Sequence, residues 1–429
     1  MSTITEQRML VLTDAVANNN KFWEATLHDN GDCLCRWGRV GADGQSKMFA
    51  GIGKHGMESK IREKTNKGYR EIAVVGKASA QTVAASAVSH VATTELAAGN
   101  PVLEALIKRL AQANRHQILQ ASGGQMNLDL STGIISTPLG VVTLDNIEAA
   151  RKLLGTFDTF VKKHDYDNPK FVGKLNEYLM YVPQKVGSAR GWHHILFSDA
   201  NAITRQSQLL DQLESSVSLA KQQVDAAAAA QNGKAPQTFN VVLKVLEDKK
   251  TIAEIQAFYK KGVNRQHVSR HLKPVRFYEL QIDAMHDAFQ KDGALMNNVQ
   301  RLWHGTRVHN VLSIFKSGLI IPKSNGSIQI TGRMFGDGLY FSDQATKSLN
   351  YSYGYWDGGA KDNNCFMFLA DVAMGNAYTP TSASRHSLPR SGFDSTFAKA
   401  GDSGVQNNEM IVYRTSQANL RYLVEFEAE

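Results

Sequence analysis

Cysteine is scarce, three among 429 residues, so no disulfide framework holds the fold and its cores must rest on apolar side chains. Cys33 and Cys35 stand two apart on a predicted strand and face one side, with Cys365 far along the chain. None has zinc-ligand spacing to a nearby His, and a structural role is expected. Long apolar runs are missing as well. No stretch reaches the length of a membrane span, and the opening MSTITEQRML lacks the apolar centre of a signal peptide. The expectation is a soluble intracellular chain with no membrane partner, nuclear in a eukaryote and cytoplasmic in a bacterium or virus. Adjacent residues of a helix or strand point in different directions, so the pair His193 and His194 reads as structural and no metal is expected.

What is present is 42% hydrophobic residues, enough for real cores, and a net charge of +8. The length fits about two to four domains. Such a charge suits a polyanionic partner or merely solvates a surface. It is concentrated early: between residues 34 and 77, ten Lys or Arg stand against four Asp or Glu. In this first unit, NKFWEATL and GDCLCRWGRVG read as strands meeting at the turn signal Asp29-Asn30-Gly31, and Met57 to Asn66 reads as a helix with Ile61 inward. Trp37, Gly38 and Arg39 set an indole, a backbone free of side chain and a guanidinium in a row. That order suits stacking on an exposed base or sugar and a grip on phosphate, with Lys47, Lys54 and Lys60 adding contacts indifferent to sequence. GIGKHG, residues 51–56, formally matches a dinucleotide fingerprint. The strand before it is short and polar, however, and Gly76-Lys77 stand where an acid should meet the ribose, so that reading is set aside.

Small residues from 76 to 98, without Pro or periodicity, predict a flexible linker, a short helix being the alternative. From Asn100 to about Ala220 the pattern is helical and predicts a bundle. Asn100 caps and Pro101 starts one helix with Leu103, Leu106, Ile107 and Leu110 on a stripe; Thr143 caps another with Ile147, Ala150 and Leu154 inward. A low-complexity crossing at 224–236 leads into a last unit that opens with the alternating strand FNVVLKVLED.

Chemistry is densest at 301–351. RLWHG reads as a strand entering a glycine turn, VLSIFKSGL as a helix ended by Gly318, Gly338 to Phe341 as a strand, and Gln344 onward as a helix. His304, Tyr340 and Tyr351 then converge on one flat ligand, or else belong to a packed α/β core with a surface His. Glu409 opens the alternating strand Met410 to Tyr413, where an acid either offsets positive charge in a cleft or is simply solvated.

LWHGT, GRMFGDGLYFSDQATKSLNYS and NNEMIVYRTSQANL resemble, in order and separation, the signature segments of the poly(ADP-ribose) polymerase catalytic domain. NKFW with RWGRVG is similar to the WGR domain that accompanies it, and STPLGVVTLDNIEAARKLL with YLMYVPQKVGSARG resembles its helical regulatory domain. The resemblance implies a multidomain α+β chain: a WGR-like DNA-binding domain at 4–80, a linker at 81–98, an all-α helical regulatory domain at 99–222, a linker at 223–236, and a mixed α/β ADP-ribosyltransferase domain with an antiparallel-rich sheet at 237–429. It implies NAD+ as substrate and no metal.

The same resemblance assigns roles. His304, Tyr340 and Glu409 form the catalytic set, with His304 on a ribose hydroxyl of the adenosine side and Glu409 orienting the nicotinamide ribose. The Gly305 backbone and Ser348 hydroxyl hold the carboxamide, Tyr340 and Tyr351 sandwich the nicotinamide ring, and Thr306 and Asn310 contact the adenosine half. Met334 and Lys347 lie on the acceptor side, and Trp37, Gly38, Arg39 and Lys47 meet DNA. Two departures from the pattern are Ile320 in place of an Arg near the adenine and Arg333 in place of a Tyr. GFDS, at residues 392–395, is similar to a loop beside the acceptor site. The expected function is NAD-dependent polymer formation on proteins including itself, activated by DNA breaks and inhibited by the helical domain, the chain being monomeric off DNA. Single-unit transfer, or DNA-end binding without catalysis, are the alternatives.

Overall fold

The computed structural model describes residues 3–72 apart from 41 and 43, 93–121, parts of 127–217, and then 239–321, 334–355, 361–383 and 389–428. Arg333 and most of both expected linkers lie outside them. Contacts divide the chain into two compact units, residues 1–88 with 115–232 and 325–330, and residues 89–114 with 233–324 and 331–429.

The first unit opens with a five-stranded antiparallel sheet of β1 (Ile4–Asp14), β2 (Asn19–His28), β3 (Cys33–Arg39), β4 (Gln45–Phe49) and β5 (Arg70–Ile72), in the order β4-β3-β2-β1-β5. Gly31, at φ +82°, lets the β2–β3 hairpin turn where the sequence signals it. Alternation puts Trp23, Ala25, Leu27, Cys33 and Cys35 on one face, where they meet Met57 and Ile61 of helix α1 (Gly53–Asn66). The thiols are buried, and burial pushes Cys35 up to about 12. The GIGKHG segment is the entry to α1 after an antiparallel edge strand, so no parallel β-α-β crossover underlies it.

Met9, Val11, Phe22 and Val40 form the opposite face of the sheet, packed against Met180. Helix α2 (Pro101–Ala121) begins as expected, with the Asn100 side chain accepting from the backbone of Val102 and Leu103; its residues up to 114 belong to the second unit. Three short antiparallel strands, β6 (Asn127–Leu128), β7 (Ile135–Thr137) and β8 (Gly140–Val141), precede helices α3 (Leu144–Leu154), α4 (Asp158–Lys162), α5 (Pro169–Tyr181) and α6 (Trp192–Leu196). These helices share a core in which Phe157 meets Phe171, Tyr178 and Phe197 edge to face at 4.9–5.7 Å. Helix α5 and the chain just past it also tie to the β1–β2 region: Asn176 accepts from the Ala15 backbone at 3.0 Å, and Asn20 donates to the carbonyl of Gln184, beyond the helix end.

The second unit carries two sheets. The larger is antiparallel, in the order β11-β13-β17-β10-β9, from β9 (Val241–Val245), β10 (Leu272–Ile282), β11 (Val299–Gly305), β13 (Asn364–Ala373) and β17 (Ala418–Ala428). The smaller, β12-β16-β15-β14, is built from β12 (Leu339–Phe341), β14 (Ala377–Tyr378), β15 (Ser395–Ala398) and β16 (Glu409–Val412), with β14 and β15 parallel. Strand β13 is a continuous apolar run because Cys365 to Ala370 are all buried. Helices α7 (Lys249–Lys261), α8 (Asp283–Lys291), α9 (Val311–Ser317) and α10 (Ala345–Tyr353) surround the sheets. One bridge joins the sheets at a corner: Trp303 and Ser342 exchange backbone bonds of 2.9 and 3.0 Å. No described helix is long and apolar enough to cross a membrane.

Candidate active site

That bridge sets the ends of β11 and β12 side by side, with His304 and Tyr340 next to it. His304 closes β11, and its Nδ1 lies 3.0 Å from the Tyr340 carbonyl oxygen on β12. A carbonyl only accepts, so Nδ1 carries the proton and the neutral ring presents Nε2 as an acceptor. Burial, aided by the Lys347 charge, lowers the affinity of this ring for a second proton. His304 therefore suits a hydroxyl that donates to it.

Gly305 follows directly. A Cβ there would overlap the carbonyl oxygen of Ser348 on α10 and press on the Ser352 hydroxyl, so only glycine lets strand and helix approach this closely. The Ser352 hydroxyl accepts from the Thr306 backbone and donates to the Phe366 carbonyl, pinning the helix to β13. Ser348, buried, donates its proton to the Trp303 carbonyl at 3.0 Å. Its oxygen retains lone pairs for an incoming N–H, which is what a carboxamide supplies. Asn310 donates to the Thr306 hydroxyl at 3.1 Å, so these two expected adenosine contacts are one linked pair.

Tyr340 is anchored at its far end, where its hydroxyl donates to the Gly336 carbonyl and accepts from the Phe335 backbone, at 2.8 and 3.0 Å. The phenol thereby also shapes the loop carrying Met334, which is exposed. Tyr351 is half-buried on α10, with the Lys347 ammonium 5.7 Å from its ring centre. Ile320 is exposed.

Glu409 lies at the start of β16, whose register sets Ile411 opposite Tyr340. It is buried, not solvated, and its Oε1 is 3.0 Å from the Lys347 ammonium, itself buried. Burial draws the Lys347 proton affinity down, opposed by the Glu409 and Asp343 carboxylates. Lys347 was expected on the acceptor side and Glu409 beside the ribose; their pairing is a tertiary fact. Sequence reasoning also missed Asn408, which accepts from the Ala400 backbone, donates to Asp343 and offers its own carbonyl to Ser342, fixing the strand entrance. The only sequence signal for it was its place next to Glu409.

The expected DNA-contacting residues sit on β3 and β4. Arg39 donates at 3.0 Å to both the backbone and side-chain oxygens of Asn18 in the β1–β2 turn. Gly38 is bare because a Cβ there would lie 2.8 Å from the Gly44 backbone and 3.3 Å from Phe22, so packing alone demands glycine. Trp37 is half-buried against the α1-facing core. Lys47 and Lys60 gather their ammonium groups over the Phe49 ring, at 5.1 and 3.5 Å, while Lys54 pairs with Glu6.

Comparison with known proteins agrees with this geometry. Residues 249–401 match the poly(ADP-ribose) polymerase catalytic domain, and residues 6–74 match the WGR domain. A protein of Invertebrate iridescent virus 6 described as a putative poly [ADP-ribose] polymerase-like 100L is 31% identical over 163 residues, which is 35% of this chain and 85% of that protein.

The chain belongs to the poly(ADP-ribose) polymerase family.

Two longer likenesses span both of its units. Poly [ADP-ribose] polymerase 2 of Homo sapiens is 23% identical across 98% of this chain and 79% of its own length. Protein mono-ADP-ribosyltransferase PARP3 of Mus musculus is 25% identical across 95% of this chain and 85% of its own. This family member is an NAD+ ADP-ribosyltransferase, with NAD+ as its substrate. The catalytic-domain match ends at residue 401, short of Glu409, so that residue's place rests on geometry.

Proposed function

We propose that the chain builds ADP-ribose polymers on proteins, itself among them, with His304, Tyr340 and Glu409 as its catalytic set, and that broken DNA switches it on. The observation that carries this reading is the buried Lys347–Glu409 pair, beside a strand in register with Tyr340 whose carbonyl holds His304. Cleaving the bond from nicotinamide to ribose leaves the bond's electrons on nicotinamide and positive charge on the sugar. A carboxylate fixed beside that sugar stabilises the charge and aligns its hydroxyls. Glu409 fills that role, with Lys347 fixing its direction. A hydroxyl of a bound ADP-ribose, or a protein side chain, then attacks the sugar carbon and gives up its proton to the Glu409 carboxylate. The Gly305 backbone and the Ser348 oxygen hold the carboxamide, Tyr340 and Tyr351 flank the ring, and Thr306 and Asn310 face the adenosine half.

Activation by DNA is supported by the WGR match, by Trp37 on β3, and by Lys47 of the edge strand β4 and Lys60 of α1, whose ammonium groups both lie over the Phe49 ring. The proposed organisation is a WGR domain at 4–80, a helical regulatory domain at 99–222 that restrains catalysis, and the transferase domain at 237–429. The names of the relatives point both ways on product length, one a polymerase and one a mono-transferase. Elongation needs a carboxylate to activate a sugar hydroxyl, a role open to Glu409, while single-unit transfer uses the same residues, so product size decides between the two.

One experiment tests the whole reading: radiolabelled NAD+ with and without nicked DNA, with products resolved by size. The expected result is long products that depend on DNA, and products limited to one unit from Glu409→Gln, with NAD+ affinity within about threefold of wild type. Full-length polymer from Glu409→Gln removes the catalytic assignment, and equal output without DNA removes activation.

A further inference from the structure

Outside the transferase site, three metal-ligating side chains meet in the helical part of the first unit. Asp167 lies in the loop before α5, and His193 and His194 lie on the single turn of α6. Their donor atoms all fall within 4.8 Å of one another. Both ring Nε2 atoms reach the same carboxylate oxygen, Oδ1 of Asp167, at 2.9 and 2.8 Å. The expectation that adjacent histidines point apart is overturned here. The two rings are nearly perpendicular, at 85°, with centroids 4.4 Å apart, yet both tips aim at one point because Asp167 stands between them.

We infer that Asp167, His193 and His194 form a binding site for a divalent transition-metal ion, zinc being the best fit. Two imidazoles and one carboxylate are the donor set of a borderline ion, and they exclude the all-oxygen preference of calcium or magnesium. Tetrahedral zinc bonds of about 2.0–2.2 Å place neighbouring donors about 3.3 Å apart, so each imidazole nitrogen needs to move only about 0.5 Å away from the Asp167 oxygen it now touches. Asp167 can supply that movement, its side chain being 74% exposed, and the exposed side of the cluster leaves room for a water or outside ligand in a fourth position. His193 is almost fully buried, which fixes one ligand rigidly, while half-exposed His194 gives the ion a route in.

Sequence position gives the ion a consequence. The ligands are 26 and 27 residues apart, so a bound ion clips the loop before α5 to α6 across the intervening helix. Metal occupancy is thereby tied to the stability of the helical part. The Nδ1 atom of His193 is buried without a hydrogen-bond partner, and a ligand His lacking this outer support binds about 10–100-fold more weakly than a supported one. The expected affinity is therefore below that of a zinc site whose histidines are fully supported.

The test uses the full chain, stripped with chelator and titrated with Zn2+ by calorimetry, alongside His194→Ala and Asp167→Asn. Both changes fall on exposed side chains, and circular dichroism checks that each variant folds. The wild type should bind one Zn2+ per chain with a rise in Tm, and each variant should lose at least tenfold in affinity together with that rise. Co2+ should give the visible bands of nitrogen and oxygen ligation without the near-ultraviolet thiolate band that Cys33 or Cys35 would produce. No Zn2+ binding by the wild type, equal binding by the variants, or a thiolate band overturns the site.

Discussion

At Gly305 and His304 the geometry turns on single atoms. With the Ser348 carbonyl oxygen already where a Cβ would stand, Gly305→Ala has to push α10 off β11. Overpacking of this kind costs about 1–3 kcal/mol, and it displaces Ser348 as well. The expected outcome is kcat/KM for NAD+ reduced by at least about 100-fold, since misplacement by about 1 Å carries that cost, with a lowered Tm on calorimetry. A separate prediction concerns pH. Burial lowers the proton affinity of His304 and His267, and holds His309 at about 3 against an ordinary 6.5. Below about 6.5 the unfolded chain takes up protons at these rings that the folded chain does not, so the part of the stability that these rings control is constant above that pH. It falls on acidification, for His309 down to about 3, by up to about 1.4 kcal/mol per pH unit per ring. Thermal unfolding followed from pH 7.5 to 5 should show this decline, and His309→Gln should flatten it. At this scale the sequence was informative about identity and silent about state. WHG and NNEM named the residues, while the tautomer of His304 and the partner of Glu409 depend on atoms 36 and 62 positions away, Tyr340 and Lys347.

Among the elements, α2 makes the most instructive contact. The predicted stripe of Leu103, Leu106, Ile107 and Leu110 is buried, and on the same helix Arg109 donates to Glu425 at 2.8 Å and to the Asn364 carbonyl, its guanidinium 4.7 Å from the Phe366 ring. All of these belong to the second unit. Glu425 is buried and also takes the Tyr278 hydroxyl and the Arg276 guanidinium, so loss of Arg109 leaves it partly compensated. Arg109→Ala is expected to destabilise that unit by about 1–3 kcal/mol, below the usual cost of stranding a buried charge, as read from denaturant unfolding. If helical restraint acts through this contact, the variant also gains activity without DNA. Caps and periodicity made this helix legible in the sequence, since Asn100-Pro101 and an apolar stripe are local signals. The helix's partner was not legible, because the strands that receive it begin more than 250 residues later.

For the molecule as a whole, the sheet of the first unit and the helices that follow it are one compact body. Met9, Val11, Phe22 and Val40 present a face that Met180 covers, and Asn176 and Gln184 bond to the β1–β2 region. Removing residues 144–217 would expose that face, so the remaining WGR sheet is expected to lose stability, visible as a lowered Tm or as aggregation. An unchanged Tm for the sheet in the deletion would show that the covering face is dispensable. The sequence by itself determined the family, the strands of the WGR segment, the helix starts at Asn100 and Thr143, and the residue types of the site, because each is written in local pattern or spacing. Only the tertiary structure decided that Lys347 neutralises Glu409, that Gly38 is bare for Gly44, and that His193 and His194 share one carboxylate. Those outcomes depend on which distant atoms arrive at hydrogen-bonding or van der Waals distance, and chain order does not encode distance until the sheets and helices have closed.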